Sequence, residues 1–324
     1  MNSFARSLAF LAVPVLALGL AAPAFAQGTV TVYTAGPAGL AKTLAAGFEK
    51  SSGLKVNVFQ ATTGQVMARL AAEKANPQAD VLISASWETA VELKAKGELL
   101  AYSPAGAASV PDALKDTHYV AQGAAALALV WNPATGKPRP TDWKDLAAPA
   151  YRGAVTMPDP SSSGSAFGLV SALVASPDYG WRFFEALKVN EVSVPGANAQ
   201  ALNPVMQGAK AVVFGAVDYI SLGAQAKGEK IEVIYPASGT VLEARPAMIL
   251  KDARNPEGAR RFMDYLLSTE AQEAVAATLL LPARTDIAAK RPGWRDIKVL
   301  PVREMGAQER ADTLVRFKAA MGLR

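Results

Sequence analysis

The chain has 324 residues and carries 33 Lys and Arg, 28 Asp and Glu, one His and no Cys. Without cysteine, the fold contains neither a disulfide bond nor a zinc site built on thiolates. The net charge of +5 is mild, and the basic residues are scattered rather than grouped in an aromatic-interleaved stripe, which argues against a nucleic-acid partner. A modest positive field still favours an anionic ligand.

The first 26 residues have the pattern of an export signal. Arg6 supplies the positive start, residues 8–20 form an apolar run, and Ala24-Phe25-Ala26 is a small-residue cleavage site. The alternative is a membrane anchor, but the run is shorter than the ~20 residues that a span needs and contains Pro14. The lack of cysteine excludes a lipoprotein cleavage site. We therefore predict a signal peptide over residues 1–26 and a freely soluble periplasmic product.

Segments typical of strands and of helices alternate along the chain. The first predicted strands are Thr29–Tyr33, Lys55–Gln60 and Ala79–Ser84. The helices that follow them are Leu40–Ser51, Gly64–Lys74 and Trp87–Lys96. A second set consists of strands at Ala154–Met157 and Ala211–Phe214 and helices at Ser165–Ala175 and Asp178–Lys188. Short Gly, Ser and Asn breaks separate these segments, which predicts parallel α/β units.

Two long apolar segments predict the connections between two lobes. Tyr119–Trp131 is strand-like and ends at the turn signal Asn132-Pro133, and Gly239–Leu250 is a second segment of this kind. About 300 residues exceed what one hydrophobic core usually covers, so we predict two α/β lobes around a central cleft. Lobe 1 is assigned to residues 27–121 and 239–285, lobe 2 to residues 122–238, and a tail that packs on lobe 2 to residues 286–324.

Small hydroxylated residues and glycines follow the predicted strands. In an open α/β sheet a ligand lies beyond the carboxyl ends of the strands, where these residues meet. Their backbone N–H groups, their hydroxyls and the positive ends of helix dipoles suit a phosphate or phosphonate group. The alternative is that serines such as those at 161–165 are ordinary helix caps. The candidate ligand-binding residues are Thr34, Gly36, Thr63, Gly64, Ser84, Ser86, Trp87, Ser163, Gly164, Ser165, Asn198, Asp218 and Tyr219.

The sequence offers little for catalysis. His118 is the only histidine, and no G-x-S-x-G or H-E-x-x-H motif accompanies it, so neither a Ser-His-Asp triad nor a zinc hydrolase is indicated. Asp142 and Asp145 could form an acid–base pair, but the start of a helix explains both carboxylates. We assign no catalytic residue, and a secreted hydrolase is the remote alternative to a binding protein.

Four stretches of the chain carry a family resemblance. They are TVYTAGPAGLAKTLAAGFEKSSGLKVNV, RLAAEKANPQADVLISAS, SSSGSAF and NPEGARRFMDYLLSTEAQEAV. Together they resemble the ferric-ion-binding branch of the periplasmic solute-binding proteins. The resemblance implies a type II periplasmic binding protein fold with a hinged cleft. It also implies delivery of the bound ligand to the inner-membrane permease of an ABC importer. We expect a monomer without a resident cofactor, and a small anion as the ligand.

The metal-binding positions of that family are only partly matched. Where ferric-ion binders present a His after the first strand, this chain reads Thr34-Ala35-Gly36-Pro37, and Ala85 stands in the place of a Glu. Asp218-Tyr219 stands in the place of two adjacent tyrosines. Because Fe³⁺ prefers several anionic oxygen ligands, this comparison implies a site without metal. The alternative is Fe³⁺ carried with a synergistic anion and held by Asp218 and Tyr219.

The anion-binding positions of the family are better matched. Residues 163–166 (SGSA) resemble its anion loop, Asn198 falls at an anion contact, and VDYISLGAQAKGEKIEVIYPASGT looks like receptors for phosphonates such as 2-aminoethylphosphonate and for phosphorylated sugars. The resemblance therefore implies a phosphonate or phosphate ester gripped by this loop, Thr63 and Asn198. Asp218 or Glu243 could pair with an ammonium or hydroxyl group at its other end. The residues that could wall the pocket are Tyr33, Trp87 and Tyr219.

Overall fold

The computed structural model describes residues 28–291, 297–301 and 305–323, so the predicted signal peptide lies outside the described residues. The strands are β1 (Thr29–Thr34), β2 (Lys55–Gln60), β3 (Val81–Ile83), β4 (Leu99–Leu100), β5 (Tyr119–Trp131), β6 (Val155–Thr156), β7 (Val212–Val217), β8 (Glu232–Ile234), β9 (Leu242–Leu250) and β10 (Leu281–Pro282). The α-helices are α1 (Ala38–Ser52), α2 (Thr63–Ala72), α3 (Trp87–Ala95), α4 (Gly164–Ala175), α5 (Gly180–Val189), α6 (Asn198–Met206), α7 (Asp218–Ala226), α8 (Pro256–Leu266), α9 (Thr269–Ala277) and α10 (Ala307–Met321). Within the described ranges, we find no helix with the length and apolar character of a membrane span.

The strands run in the order β2-β1-β3-β9-β5-β7-β6. Strand β1 is parallel to β2 and β3, and β6 is parallel to β7, whereas β9 is antiparallel to both β3 and β5. The first half of β5 pairs with β9, and its second half pairs with β7 and β8. The predicted α/β class is confirmed, and β5 and β9 are the strands that join its two parts.

The buried hydrophobic residues of the described chain form two main cores, each with a smaller cluster beside it. One contains Phe48, Phe262 and residues from 30–125 and 244–283, and we call this part lobe 1. The other contains Trp143, Phe214 and residues from 127–241, and we call this part lobe 2. Strand β5 is buried along almost its whole length because it passes from one core into the other.

The C-terminal segment packs mainly on lobe 2. Helix α10 lies against α5, where the rings of Phe317 and Phe184 meet edge to face with centroids 5.8 Å apart. Before it, the backbone N–H of Leu300 donates to the carbonyl of Thr240 at 2.7 Å. The segment also contacts lobe 1, where the backbone N–H of Met305 donates to a Glu88 carboxylate oxygen at 3.0 Å. The C-terminal segment therefore contacts both lobes.

Local capping explains where several elements begin. Helix α2 begins at Thr63, one residue before the predicted start, because Thr62 and Gln65 form a capping box. The second crossing strand begins at Leu242 and not at Gly239, because Gly239 has a φ of 111° that a strand does not adopt. Asp142 caps a short 3₁₀ segment together with Asp145, so both carboxylates serve a helix start as predicted.

We predict that Phe317→Ala lowers the free energy of unfolding by about 3–5 kcal/mol, because it removes a fully packed aromatic ring from the core of lobe 2. Val315→Ala on the same helix is the matched control, since Val315 is 69% exposed, and its effect should stay within about 0.5 kcal/mol. Urea denaturation followed by circular dichroism measures both. Equal stability of the two variants would contradict the packing of α10 on lobe 2.

Candidate functional site

A cavity of about 730 Å³ lies between the two lobes. Lobe 1 contributes the turn after β1, the end of β2, the start of α2 and one residue of β9, and lobe 2 contributes the starts of α4, α6 and α7. Its lining residues are Ala35, Gly36, Pro37, Phe59, Gln60, Ala61, Thr62, Thr63, Gln65, Ala85, Ser162, Ser163, Ser165, Ala197, Asn198, Ala199, Gln200, Val217, Tyr219, Ile220 and Arg245. The cavity thus lies at the carboxyl ends of parallel strands, where helices start.

The start of α4 presents hydroxyl groups to the cavity. Ser163 is its N-cap, and its Oγ accepts from the backbone N–H of Ala166 at 3.3 Å. The Oγ of Ser165 lies 3.2 Å from that oxygen, and Asn198 Nδ2 donates to it at 2.8 Å. Asn198 Oδ1 is buried without a hydrogen-bond partner. The capping interpretation and the anion-site interpretation of this loop are therefore compatible, because the capping serine also lines the cavity.

The start of α2 meets this loop from lobe 1. The backbone N–H of Gly64 donates to the carbonyl of Ser162 at 3.3 Å, across the boundary between the lobes. A side chain at Gly64 would place Cβ 2.7 Å from the carbonyl oxygen of Ser161, so only glycine permits this approach. Two helix N-termini, one from each lobe, consequently converge on the cavity, and their dipoles favour negative charge there.

Arg245 on β9 is a buried arginine that lines the cavity. It is 1% exposed, its Nη2 donates to the carbonyl of Ala35 at 2.7 Å, and its Nε is buried without a hydrogen-bond partner. Its guanidinium lies 5.7 Å from the centre of the Tyr219 ring. In residues 28–291, 297–301 and 305–323, no carboxylate forms an ion pair with it. A buried charge without a counter-charge is costly, and an anion in the cavity would remove that cost.

Sequence reasoning missed Arg245. In the segment LEARPAMIL, which was interpreted as a crossing strand, sequence reasoning considered Glu243 as a ligand contact and passed over the arginine, although a second charged residue in a largely apolar run was the available signal. Charged residues are seldom fully buried unless they are paired. An arginine inside a predicted buried strand therefore indicates either an internal partner or a ligand. Lining glutamines were missed as well, namely Gln60, Gln65 and Gln200.

The structure brings together only part of the predicted set. The candidates that line the cavity are Gly36, Thr63, Ser163, Ser165, Asn198 and Tyr219. The candidates that lie behind its wall are Thr34, Gly64, Ser84, Ser86, Trp87 and Gly164. Two of the hidden hydroxyls accept from the backbone, Thr34 Oγ1 from the N–H of Gly36 at 2.9 Å and Ser84 Oγ from that of Ser86 at 3.1 Å, whereas Ser86 Oγ is buried without a hydrogen-bond partner. The two hydrogen bonds shape the turns that the cavity depends on.

Asp218 does not face the cavity, contrary to expectation. It is fully buried, and its carboxylate accepts from the backbone N–H of Ala126 at 3.2 Å and from the hydroxyl of Tyr235 at 3.0 Å. It also forms an ion pair with the buried side chain of Arg291. Because these internal donors occupy its oxygens, the carboxylate ties the start of α7 to β5 and the C-terminal segment, and no oxygen points towards a ligand.

Glu243 and Tyr33 also lie away from the cavity lining. Glu243 is buried, and its Oε1 accepts from the backbone N–H of Trp87 at 3.0 Å. Burial, which outweighs that hydrogen bond, raises the pKa of Glu243 to about 8. The hydroxyl of Tyr33 donates to Glu73 at 2.7 Å inside lobe 1. Of the three aromatic residues expected to wall the pocket, Tyr219 is the one that does so.

The polar side chains that line the cavity are either neutral or positively charged. Across the described ranges, no group of three or more His, Cys, Asp or Glu side chains lies close enough together to hold a metal ion. Of the two alternative iron ligands, Tyr219 lines the cavity, and Asp218 is bound elsewhere. Hydroxyls, amides, helix N-termini and one guanidinium are groups that bind an oxyanion.

Comparison with known proteins agrees with this architecture. The chain is 26% identical over 295 residues to a putative 2-aminoethylphosphonate-binding periplasmic protein of Salmonella typhimurium, which covers 86% of this chain and 85% of that protein. Its fold is similar to that of the periplasmic binding protein AfuA from Actinobacillus pleuropneumoniae with fructose 6-phosphate bound, at 22% identity and a TM-score of 0.84, covering 92% of this chain and 100% of that one. Iron-bound HitA from Pseudomonas aeruginosa shares the fold at 20% identity and a TM-score of 0.78, covering 90% and 99% of the two chains.

A family model settles the relationship more directly than any single relative. Residues 30–278 match the model of the bacterial extracellular solute-binding proteins. This range includes every described residue that lines the cavity. It also includes both crossing strands and most of the two main hydrophobic cores, which extend beyond it at Leu280, Ala283, Phe317 and Met321. The chain therefore belongs to the bacterial extracellular solute-binding protein family.

Proposed function

We propose that the chain is the periplasmic substrate-binding component of an ABC importer and that it captures a small organic phosphate or phosphonate. It delivers this anion to an inner-membrane permease and catalyses no reaction on it. The observation that carries the proposal is the buried guanidinium of Arg245, which lines the cavity without an ion-pair partner among the described residues. The Salmonella relative, named as a putative 2-aminoethylphosphonate-binding periplasmic protein, supports the ligand class.

The chemistry around Arg245 suits a phosphoryl group. Guanidinium groups bind phosphate oxygens through charge-assisted hydrogen bonds, which are shorter and stronger than neutral ones. Thr63 and Ser163 add hydroxyls, and the α2 and α4 N-termini add backbone dipoles. Each of these groups donates to, or favours, negative charge. Together they would bind a tetrahedral anion from both lobes at once.

The size of the cavity supports an anion with an organic part. Small-molecule sites commonly enclose ~300–1,000 Å³, and this cavity of about 730 Å³ has room for far more than a phosphoryl group. The remaining wall carries the rings of Phe59 and Tyr219 and the amides of Gln60 and Gln200. Such a wall suits a compact polar group attached to the phosphorus or its ester oxygen.

Hinge closure is the proposed mechanism of capture. Strands β5 and β9 join the lobes. The two lobes also contact each other directly beside the cavity, where Gly64 of lobe 1 donates to Ser162 of lobe 2. A ligand held by residues of both lobes binds the closed arrangement more tightly than an open one, so it shifts the population towards closure. The permease would then recognise the closed protein.

Ligand-dependent stabilisation tests the proposed ligand class. A ligand that binds only the folded state raises the melting temperature by mass action. We expect the mature protein, stripped of bound ligand, to be stabilised by 2-aminoethylphosphonate or by a hexose phosphate, and not by ferric citrate. Stabilisation by ferric citrate alone, with a tyrosinate-to-iron absorption band, would contradict the proposal and favour Fe³⁺ as the transported ligand. Hydrolysis of the hexose phosphate by the purified protein would contradict the absence of catalysis.

Replacing Arg245 tests the observation on which the proposal rests. Arg245→Gln should weaken binding of the stabilising anion at least about 100-fold, because two or more charge-assisted hydrogen bonds of about 1.5–3 kcal/mol each are lost. Arg139→Gln is the control, since Arg139 is paired with Glu232 at the surface, and it should leave the dissociation constant unchanged. Isothermal titration calorimetry measures both. Equal affinities in the two variants would show that Arg245 does not bind the anion.

The hydroxyls of α4 provide a second test. Ser163→Ala combined with Ser165→Ala should weaken binding by about 2–3 kcal/mol if both hydroxyls bind the charged group. Ser161→Ala in the same loop is the control, because Ser161 is exposed and hydrogen-bonded to Asp159. Unchanged affinity in the double variant would remove this loop from the site.

A further inference from the structure

Glu243 is a buried carboxyl group in the hinge for which the binding mechanism above has no use. It lies on β9 two residues before Arg245, so the two side chains project from the same face of the strand. Arg245 lines the cavity, and Glu243 is covered. On β5 the residue paired with Glu243 is Ala125. The carboxyl group therefore lies in the hinge itself, beside Arg245, which we propose binds the anionic ligand.

The carboxyl group contacts both lobes. Its Oε1 accepts from the backbone N–H of Trp87, the first residue of α3 in lobe 1. Its Oε2 lies against Gly168 of α4 in lobe 2, where a Cβ would be only 1.9 Å from that oxygen. Glycine is therefore the residue that permits the contact. One turn earlier in the same helix, a Cβ on Gly164 would lie 2.8 Å from the Cβ of Ser86, so α4 is packed closely on the residues before α3.

We propose that Glu243 is a positioning residue for ligand capture, which holds the anion-binding end of α4 against the start of α3 and whose carboxyl group binds its proton more tightly when the anion enters the cavity. This inference rests on the proposed function, because it requires an anion beside Arg245. Glu243 itself does not touch the ligand. It acts through α4, whose first turn carries Ser163 and Ser165.

The charged groups around Glu243 determine its protonation. The pKa of Glu243 is raised to about 8, with burial as the largest cause and the negative charge of Glu88 on α3 acting in the same direction. Arg310 on α10 and Arg245 on β9 lower it, as does the hydrogen bond from Trp87. Arg310 stands over the ring of Phe167 on α4 at 4.2 Å, so the C-terminal helix brings a cation to the same junction. Glu243 is thus neutral below about pH 8 and ionised above it.

An anion at Arg245 should increase the proton affinity of Glu243. The ligand brings negative charge close to the carboxyl group and offsets the field of the guanidinium, and both effects disfavour a second negative charge. By linkage, the protein with a protonated Glu243 binds the anion more tightly than the protein with an ionised one. The contribution of Glu243 to affinity should therefore be constant well below pH 8 and fall as the pH rises through about 8.

Calorimetric titration with fructose 6-phosphate tests the coupling directly. Phosphate monoesters lose their second proton near a pKa of about 6, so the ligand does not change its charge between about pH 7 and pH 9.5. We expect the affinity of the unmodified protein to fall roughly tenfold over this interval, the size of a charge interaction across the protein interior. Titrations at pH 8 in two buffers with different ionisation enthalpies should show uptake of a fraction of a proton for each anion bound.

Two substitutions separate positioning from a purely structural role. Glu243→Gln keeps an acceptor for the N–H of Trp87 but cannot ionise, so it should remove the proton uptake and hold the affinity near its neutral-pH value. Glu243→Asp keeps the acid but shortens its reach, so it should bind more weakly at every pH and retain the dependence on pH. Glu257→Gln is the control, since Glu257 is paired with Arg260 at the surface of α8, and it should behave like the unmodified protein.

The outcomes distinguish this inference from the proposed function. Binding with no proton uptake by the unmodified protein would overturn the role of Glu243 while leaving the anion site intact, and this measurement needs no variant. Equal proton uptake in Glu243→Gln would do the same. No binding of fructose 6-phosphate at any pH, together with no stabilisation by the other phosphorus-containing anions, would overturn both the proposed function and the inference that rests on it.

Discussion

The buried charge of Arg245 is the constraint on which the site depends. Removing a guanidinium from water is costly, and the cost is repaid only by a counter-charge with good geometry. Among the described residues the structure supplies a carbonyl oxygen, the face of an aromatic ring and no ion-pair partner. The groups that share the cavity with it are hydroxyls, amides and helix N-termini. The folded protein is thus arranged around a negative charge that enters from outside.

The two crossing strands, β5 and β9, hold the lobes together and allow one lobe to move relative to the other. Each lobe has its own hydrophobic core, so closure does not require either core to rearrange. Strands β5 and β9 pass between the cores, and β9 carries Glu243 and Arg245 side by side on one face. An anion that binds to Arg245 therefore changes the electrostatic environment of Glu243, where the lobes meet. The C-terminal segment, which contacts Glu88 in lobe 1 and packs on α5 in lobe 2, adds a further connection behind these strands.

The two buried carboxylates show how similar residues take different roles. Asp218 is satisfied by Ala126, Tyr235 and Arg291, so it stabilises the start of α7 and has no capacity left for a ligand. Glu243 accepts from one backbone N–H, and no cation among the described residues forms an ion pair with it. Burial therefore has the largest effect and raises its pKa to about 8. Sequence reasoning treated both carboxylates as possible partners for an ammonium or hydroxyl group of the ligand. Their surroundings separate them.

The sequence by itself determined the family, the α/β class and many elements, because periodicity and turn residues act locally. Strands Lys55–Gln60 and Tyr119–Trp131 agree with prediction to the residue, and the SSSGSAF loop lies at the start of a helix that lines the cavity. Tertiary structure alone decided which side chains face that cavity. Asp218, Ser84 and Trp87 do not line the cavity, whereas Arg245 does. The direction of each side chain depends on hydrogen-bond partners that are distant in sequence, such as the carbonyl of Ala35 for Arg245, and these meet only when the lobes assemble.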